Sequence, residues 1–460
     1  MPGNDRNDNS IKRLKTSPLA RNMAMARIGL VAGSQIATHE ALNLFRGKKA
    51  REVSNRSFYT RQAEYLRDEL GQLKGSIMKL GQMLSLYGQY FMPPEAVSVL
   101  ASLQDDTPPV SWSAVRPQIE DSLGPRRMAE LEIEPRPLAS ASLGQVHIAY
   151  RERDRRKLVL KVQYPGVGDA IDSDIRSLSR VMQLTQVVPK GISLGPIMEE
   201  VREMLHQEVD YGRELRMTGW YHRQLKDDSR YVVPETIEDY CTDDILATSF
   251  EEASHVHSPE VQGLSQARRN RIALAALELF FNEFLRWDRV QTDPHFGNFK
   301  VRVDPHGEND RLVLIDFGAT RDFSRPFLNA YRDIIAGAVN DDRDVILRGA
   351  ETIGLMRAQF GDSVRDSFAE VCRLIIEPFA EVTAERPPRQ WLTKEGAYKW
   401  GETDLPKRVS AAVAKAALSR YFRVPPREIV FLHRRLAGVF ILVASLRAEL
   451  VARPLLLRFL

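Results

Sequence analysis

The chain has 460 residues, 43% hydrophobic and 27% charged, with a formal net charge of +4. This is an ordinary globular composition, and so small a charge on so long a chain argues against a nucleic-acid partner. Its two cysteines, Cys241 and Cys372, are far apart and outside any CxxC spacing. That excludes a cysteine zinc site or a disulfide framework and fits a reducing compartment.

By length the chain suits two or three domains or one large bilobal unit. Residues 1–27 carry six Lys/Arg against two Asp, without the apolar core of a secretory signal. This basic segment suits either an anionic membrane surface or an inert solvated tail. No stretch reaches the roughly 18–20 apolar residues that span a bilayer. The nearest are 28–38, broken by Gly33, Ser34 and Gln35, and 436–446, which reads as a core helix. The expectation is a cytoplasmic protein, at most peripheral on a membrane.

Residues 61–86 read as a helix. Leu66, Leu70, Leu73, Ile77, Leu80 and Leu84 alternate spacings of four and three to make one apolar stripe. Lys79 and Gln82 are neighbours on one face of it, and a lysine beside such a stripe is usually a solvated flank residue. Pro93-Pro94 ends this region, and Pro108-Pro109 follows.

From Pro137 the pattern changes. The small residues Ala139, Ser140, Ala141, Ser142 and Gly144 precede an alternating Val146/Ile148/Tyr150 strand, and residues 157–162 form the return strand of a hairpin. Small side chains let backbone N–H groups approach a phosphate, though Ala and Ser are more restricted than Gly. Lys161 sits mid-strand on the face opposite Leu158, Leu160 and Val162. A lysine there needs a partner, or must reach water from an edge strand. The next helical region, 197–221, offers acids in Glu208, Asp210 and Glu214. Asp210 and Glu214 share a face if one helix includes both, and Glu214 is placed to pair with Lys161 as the strand Lys and helix Glu do in kinases. A solvated acidic face is the alternative. Strands are expected at 232–234 and 244–250, then a long apolar helix at 268–287.

That helix delivers the chain to QTDPHFGN, residues 291–298, answered by Asp316-Phe317-Gly318. Asp293 and Asn298 are five apart, and Asp316 follows eighteen residues later. Phosphoryl transfer needs a carboxylate near the attacking oxygen and oxygen ligands for Mg²⁺ on ATP phosphates. Mg²⁺ usually takes one or two side-chain oxygens, completed by phosphate and water. Asp293 fits the first role, Asn298 and Asp316 the second. DFG alone would be a chance tripeptide; D-x-x-x-x-N upstream and the apolar run of 312–315 give it context. His295 reads as a structural hydrogen-bonder. Beyond this point the chain is mostly helical, with an irregular Pro-rich excursion at 380–408 and a last strong helix at 433–450.

Together these stretches resemble the UbiB/AarF family of atypical, protein-kinase-like proteins associated with isoprenoid-quinone biosynthesis, over roughly residues 60–450. The matching set is Lys79-Leu80-Gly81-Gln82 (KxGQ), the loop Ala139-Ser140-Ala141-Ser142, Lys161 in KVQYPG, Glu208-Val209-Asp210 (ExD), Glu214, QTDPHFGN and DFG. Two positions depart from the family pattern: Ser140 replaces an Ala, and Phe296 stands where Pro is usual.

The resemblance implies an α+β, bilobal protein-kinase-like fold with a helical N-terminal extension packed over the active site. Its parts are a basic region at 1–60, the extension at 61–135, an N-lobe at 136–252 and a mostly helical C-lobe at 253–460. Lys79 would pair with Glu208 and Asp210 and occupy space that a protein substrate needs, making Lys79, Gln82, Glu208 and Asp210 regulatory. Lys161, positioned by Glu214, would contact the phosphates of ATP or ADP beside the 139–142 loop, and Asp293 would orient or deprotonate the attacking water or hydroxyl. The function implied is a Mg²⁺-dependent ATPase or small-molecule kinase supporting quinone or prenyl-lipid metabolism, with a prenyl lipid, quinone precursor or biosynthetic protein as partner. A nucleotide-gated scaffold or lipid-binding regulator is the alternative. An ordinary Ser/Thr protein kinase is less well supported, because H-R-D and the Gly-rich loop are absent.

Overall fold

A computed structural model describes residues 23, 27, 31, 34, 35, 76–88, 109–141, 143–184, 194–293, 295–383, 386–417 and 426–460. The fold is mixed helix and sheet, and the chain divides into two compact units, 1–216 with 235–250, and 217–234 with 251–460.

The N-terminal unit opens with α1 (Ser76–Gly88) and α2 (Trp112–Met128). Its antiparallel sheet has the order β1 (Leu131–Ile133), β3 (Gly144–Arg151), β4 (Lys157–Gln163), β6 (Ile245–Ser249), with β2 (Ala139–Ser140) on β3. Leu158, Leu160 and Val162 of β4 are fully buried, and Lys161 lies on the other face, opposite Val146 of β3 and Leu246 of β6. The hairpin tip is fixed by Asp154, which accepts from Arg151 Nε at 2.9 Å and from the Arg156 N–H at 3.1 Å. Helix α1 packs on α3 (Val167–Leu184) and α4 (Leu194–Val209). Its apolar stripe is buried as expected at Leu80 and Leu84, both 0% exposed. The buried hydroxyl of Ser76 ties the start of α1 to the Asp174 carboxylate on α3. Leu66, Leu70, Leu73 and the side chains of Ile77 and Gln82 lie outside the described residues, as do Ser142 and the basic N-terminal segment.

The single helix expected over 197–221 is two, α4 and α5 (Tyr211–Leu225). Asp210 lies between them, so it does not share a helix face with Glu214. Its Oδ1 accepts from the Arg213 N–H at 2.7 Å and its carbonyl from the Glu214 N–H at 3.1 Å, satisfying donors that a helix start leaves unpaired.

In the C-terminal unit, β5 (Tyr231–Val232), β10 (Arg311–Leu314), β9 (Phe299–Arg302) and β7 (Ser254–His255) form a sheet in that order. The strand expected at 232–234 thus ends before Pro234 and pairs in parallel with β10, not with the N-terminal sheet. A short α6 (Pro259–Gln262) precedes the central helix α7 (Gln266–Leu285), whose Ser265 cap accepts from the Arg268 N–H. Phe280, Phe281 and Phe284 of α7 are buried. After α7 come β8 (Arg289–Gln291), paired with β11 (Thr320–Asp322), and the helices α8 (Arg325–Val339), α9 (Arg343–Thr352), α10 (Asp362–Ile375) and α11 (Leu405–Ala417). The 380–408 excursion is largely irregular but contributes β12 (Tyr398–Lys399), paired with β13 (Glu449–Leu450). The last long helix, α12, runs Arg427–Ser445 rather than 433–450. It starts after Pro426 and stops because Arg447 adopts φ 48, a left-handed conformation that ends a helix. Helix α13 (Arg453–Leu457) follows. Among the described residues no helix is long and apolar enough to cross a membrane.

Candidate active site

In the N-terminal unit, β4 and the first turn of α5 bring Lys161 and Glu214 together. Lys161 Nζ lies 2.7 and 2.8 Å from the two Glu214 oxygens. Glu214 is 3% exposed and Lys161 23%, so the pair answers the requirement that a buried carboxylate have a cationic partner. Tyr211 adds its ring 5.4 Å below the ammonium. Next to this pair in the sheet, Ala139, Ser140 and Ala141 are exposed, and the turn after β2 is closed by the Ala141 N–H on the Gly144 carbonyl at 2.8 Å. Glycine is required at 144: a Cβ there would stand 2.4 Å from the Val162 carbonyl oxygen.

The two acids of the ExD stretch separate. Glu208, at the end of α4, lies 2.5 Å from Lys79 Nζ on α1, with side-chain exposures of 30% and 14%. Asp210 caps α5 and lies 3.9 Å from Arg216. The Lys79–Glu208 contact thus holds α1 against α4, as Ser76–Asp174 holds it against α3.

In the C-terminal unit, Gln291 at the end of β8 binds both loops with one side chain. Its Oε1 accepts from the Asp293 N–H at 2.8 Å and its Nε2 donates to the Asp316 carbonyl at 3.1 Å. Thr292 reaches the Ala319 carbonyl through its N–H and its hydroxyl, at 3.1 and 2.7 Å. His295 accepts from the Gly297 N–H at 3.0 Å and caps the turn Phe296–Asn298, the structural role expected for it. Asn298 Nδ2 then donates to Asp293 Oδ2 at 3.0 Å. The Ile315 N–H donates to the Asn298 carbonyl at 3.2 Å, so Asn298 and Asp316 stand at adjoining ends of the β9–β10 hairpin. Asp316 Oδ1 accepts from the Gly318 N–H at 2.9 Å.

The other oxygen of Asp293 has a partner that local motifs do not reveal: Arg434 Nη2 of α12, at 3.0 Å. A signal was available, because His433, Arg434 and Arg435 interrupt an otherwise apolar helix. Polar groups there need a buried partner.

The donor set suits Mg²⁺. The Asn298 amide nitrogen is engaged by Asp293, which leaves its side-chain carbonyl oxygen as the group for a hard cation, with Asp316 at the adjoining end of the hairpin. Among the described residues no cluster of three or more His, Cys, Asp or Glu could hold a metal. Two oxygens completed by phosphate and water is the pattern that Mg²⁺ prefers.

A β-strand Lys paired to a helix Glu, a D-x-x-x-x-N loop and an Asp at the end of the next hairpin are the furnishings of a protein-kinase-like fold. The ABC1 atypical kinase-like domain matches residues 102–350. The chain belongs to that family. It is 29% identical over 394 residues to atypical kinase COQ8B, mitochondrial, of Rattus norvegicus, covering 85% of this chain and 71% of that one. Atypical kinase coq-8, mitochondrial, of Caenorhabditis elegans is 31% identical over 380 residues, 82% of this chain but 48% of its own length. Among solved structures, the complex structure of Rv3197-erythromycin from Mycobacterium tuberculosis superposes with a TM-score of 0.57 and 24% identity, covering 88% of this chain and 97% of that chain. At that identity the likeness speaks for the fold alone.

Proposed function

We propose that the protein binds ATP with Mg²⁺, transfers its γ-phosphoryl group to water or to a small hydroxyl compound and releases ADP, which the same site also binds, in support of quinone or other prenyl-lipid metabolism. The observation that carries this reading is the Asp293–Asn298 hydrogen bond at 3.0 Å on a loop joined by the β9–β10 hairpin to Asp316. Asp293, held by Asn298 and Arg434, orients the attacking O–H and receives its proton. Lys161, held by Glu214, neutralises phosphate oxygens. Asn298 and Asp316 would hold Mg²⁺, and the charge neutralisation of the phosphates is the chemistry that the ion would supply. The names of the relatives speak for a kinase-type reaction in those proteins, and the family association with isoprenoid quinones supports the pathway assignment here.

The test follows the label of [γ-³²P]ATP with Mg²⁺ and a lipid extract, in the parent and in Asp293→Asn. Release to water or to an extractable lipid in the parent alone supports the reading. Nucleotide binding without turnover in either protein points to the nucleotide-gated scaffold. We further assign the basic segment of residues 1–27 to a peripheral contact with anionic lipid. Sedimentation with anionic vesicles should then fall as salt rises, because exposed charges are screened; salt-resistant binding overturns the assignment.

A further inference from the structure

Within the C-terminal unit, α7, α12 and the residues of α5 from 217 onward converge on one carboxylate. Glu283, near the end of α7, is 1% exposed, as is Arg435 of α12. An isolated charge there is costly, and Glu283 is surrounded by donors. Tyr221 Oη of α5 donates to Oε1 at 2.9 Å, and Arg435 Nε and Nη2 donate to Oε2 at 3.0 and 2.8 Å. The Gln291 backbone N–H bonds to the same group. Burial still pushes the carboxyl above its ordinary range, against the pull of Arg435.

Each donor leads to a loop of the candidate active site. The Tyr221 ring stacks on Phe317 of DFG, 4.3 Å between centroids and 28° between planes. Thr320, whose hydroxyl donates to the Phe317 carbonyl at 2.8 Å, lies beside the Tyr221 hydroxyl. Gln291 holds the Asp293 N–H and the Asp316 carbonyl. Arg435 follows Arg434, the partner of Asp293, and its guanidinium lies 4.9 Å from the ring of Phe299, the residue after Asn298. The same unit has a second triad of identical chemistry, in which Tyr398 Oη and both Nη atoms of Arg408 donate to Glu377 at 2.7, 2.6 and 2.7 Å. That one joins β12 to α11 and gives a matched control.

We infer that Glu283 is a positioning residue which, through Tyr221 and Arg435, couples the aromatic ring of the DFG loop to the loop carrying Asp293, so that the two loops order together. The inference rests on the phosphoryl-transfer reading for its consequence in catalysis, while the coupling is a property of the fold and can be measured without nucleotide. The conservative probe is Tyr221→Phe, which keeps a ring on Phe317 and removes the hydroxyl that Glu283 accepts.

Amide hydrogen exchange without nucleotide is compared in the parent, Tyr221→Phe and Tyr398→Phe. Exchange should rise at both 291–299 and 315–320 in Tyr221→Phe and at neither in Tyr398→Phe. In turnover, Tyr221→Phe should lower kcat on the order of 10–100-fold, the loss that misplacing a reacting group by an ångström brings, with KM for ATP little changed. Exchange rising only at 315–320, or equally in the two variants, overturns the coupling. Should Tyr221→Phe not fold, Glu283→Gln carries the same readouts, since it keeps the size of the side chain and weakens its bonds to Tyr221 and Arg435. A parent without Mg²⁺-dependent turnover removes the proposed function, and the exchange comparison still decides the coupling.

Discussion

Asp293 has both carboxylate oxygens engaged, one by the Asn298 amide and one by the Arg434 guanidinium, each at 3.0 Å. Two donors on different elements fix the rotamer, and a fixed carboxylate is what proton abstraction in a near-attack geometry requires. Replacing Arg434 by Gln keeps an N–H donor but removes the charge and the fork geometry. Turnover should fall on the order of 10–100-fold with nucleotide affinity retained. Steady-state kinetics beside nucleotide titration check this, and a parallel loss of binding would move Arg434 out of the positioning role. Asp316→Asn acts differently, because it removes the charged oxygen assigned to the cation. The thermal shift produced by ATP should then lose its dependence on Mg²⁺. An unchanged Mg²⁺ response in the folded variant would sink the metal assignment.

At the scale of elements, the strands and loops of the candidate site were legible because each motif is local. A lysine between alternating apolar residues, five residues from Asp to Asn and a short hairpin before DFG are all read along the chain. What could not be read is long-range or a matter of where a helix stops. Asp293 and Arg434 are 141 positions apart, and no spacing announces that contact. Asp210 looked like one more acid in a helical run, whereas its carboxylate caps a new helix. The role of Lys79 rested on the family resemblance, and helix pattern alone favoured a solvated flank. Its side chain is 14% exposed and lies 2.5 Å from Glu208. Removing one partner of a fully buried pair costs about 3–5 kcal/mol, and less where water reaches the acid as it reaches Glu208. Lys79→Ala should therefore raise amide exchange across 76–88, and equal protection in the two proteins would return Lys79 to the solvated flank. Gly144→Ala tests the loop from the other side. A Cβ standing 2.4 Å from the Val162 carbonyl oxygen must push β3 from β4, at about 1–3 kcal/mol by the cost of overpacking, measured as a lower urea midpoint.

For the molecule as a whole, the acid limb of stability is set in part by histidines that the fold keeps neutral. His433 of α12 is buried, its Nε2 lies 2.6 Å from the Tyr331 hydroxyl, and burial lowers its pKa from 6.5 to about 4. The unfolded chain gains a proton near pH 6.5 that the folded chain refuses until about pH 4. Stability is therefore unaffected above that window and is lost progressively as pH falls through it. A span of 6.5 − 4 pH units at about 1.4 kcal/mol each amounts to about 3–4 kcal/mol. Carboxylates titrate over part of the same range, so the parent alone does not isolate the histidine. His433→Gln keeps an acceptor for Tyr331 and removes the titration. Urea unfolding at pH 7, 6, 5 and 4.5 should show a steeper decline in the parent than in the variant, with the gap opening below about pH 6.5. His433 adjoins Arg434, so its protonation disturbs the turn of α12 that holds Asp293. Turnover at pH 5, taken relative to the value of each protein at pH 7, should accordingly fall further in the parent than in the variant. Parallel stability curves in the two proteins would show that His433 titrates normally and that the acid limb belongs to other groups.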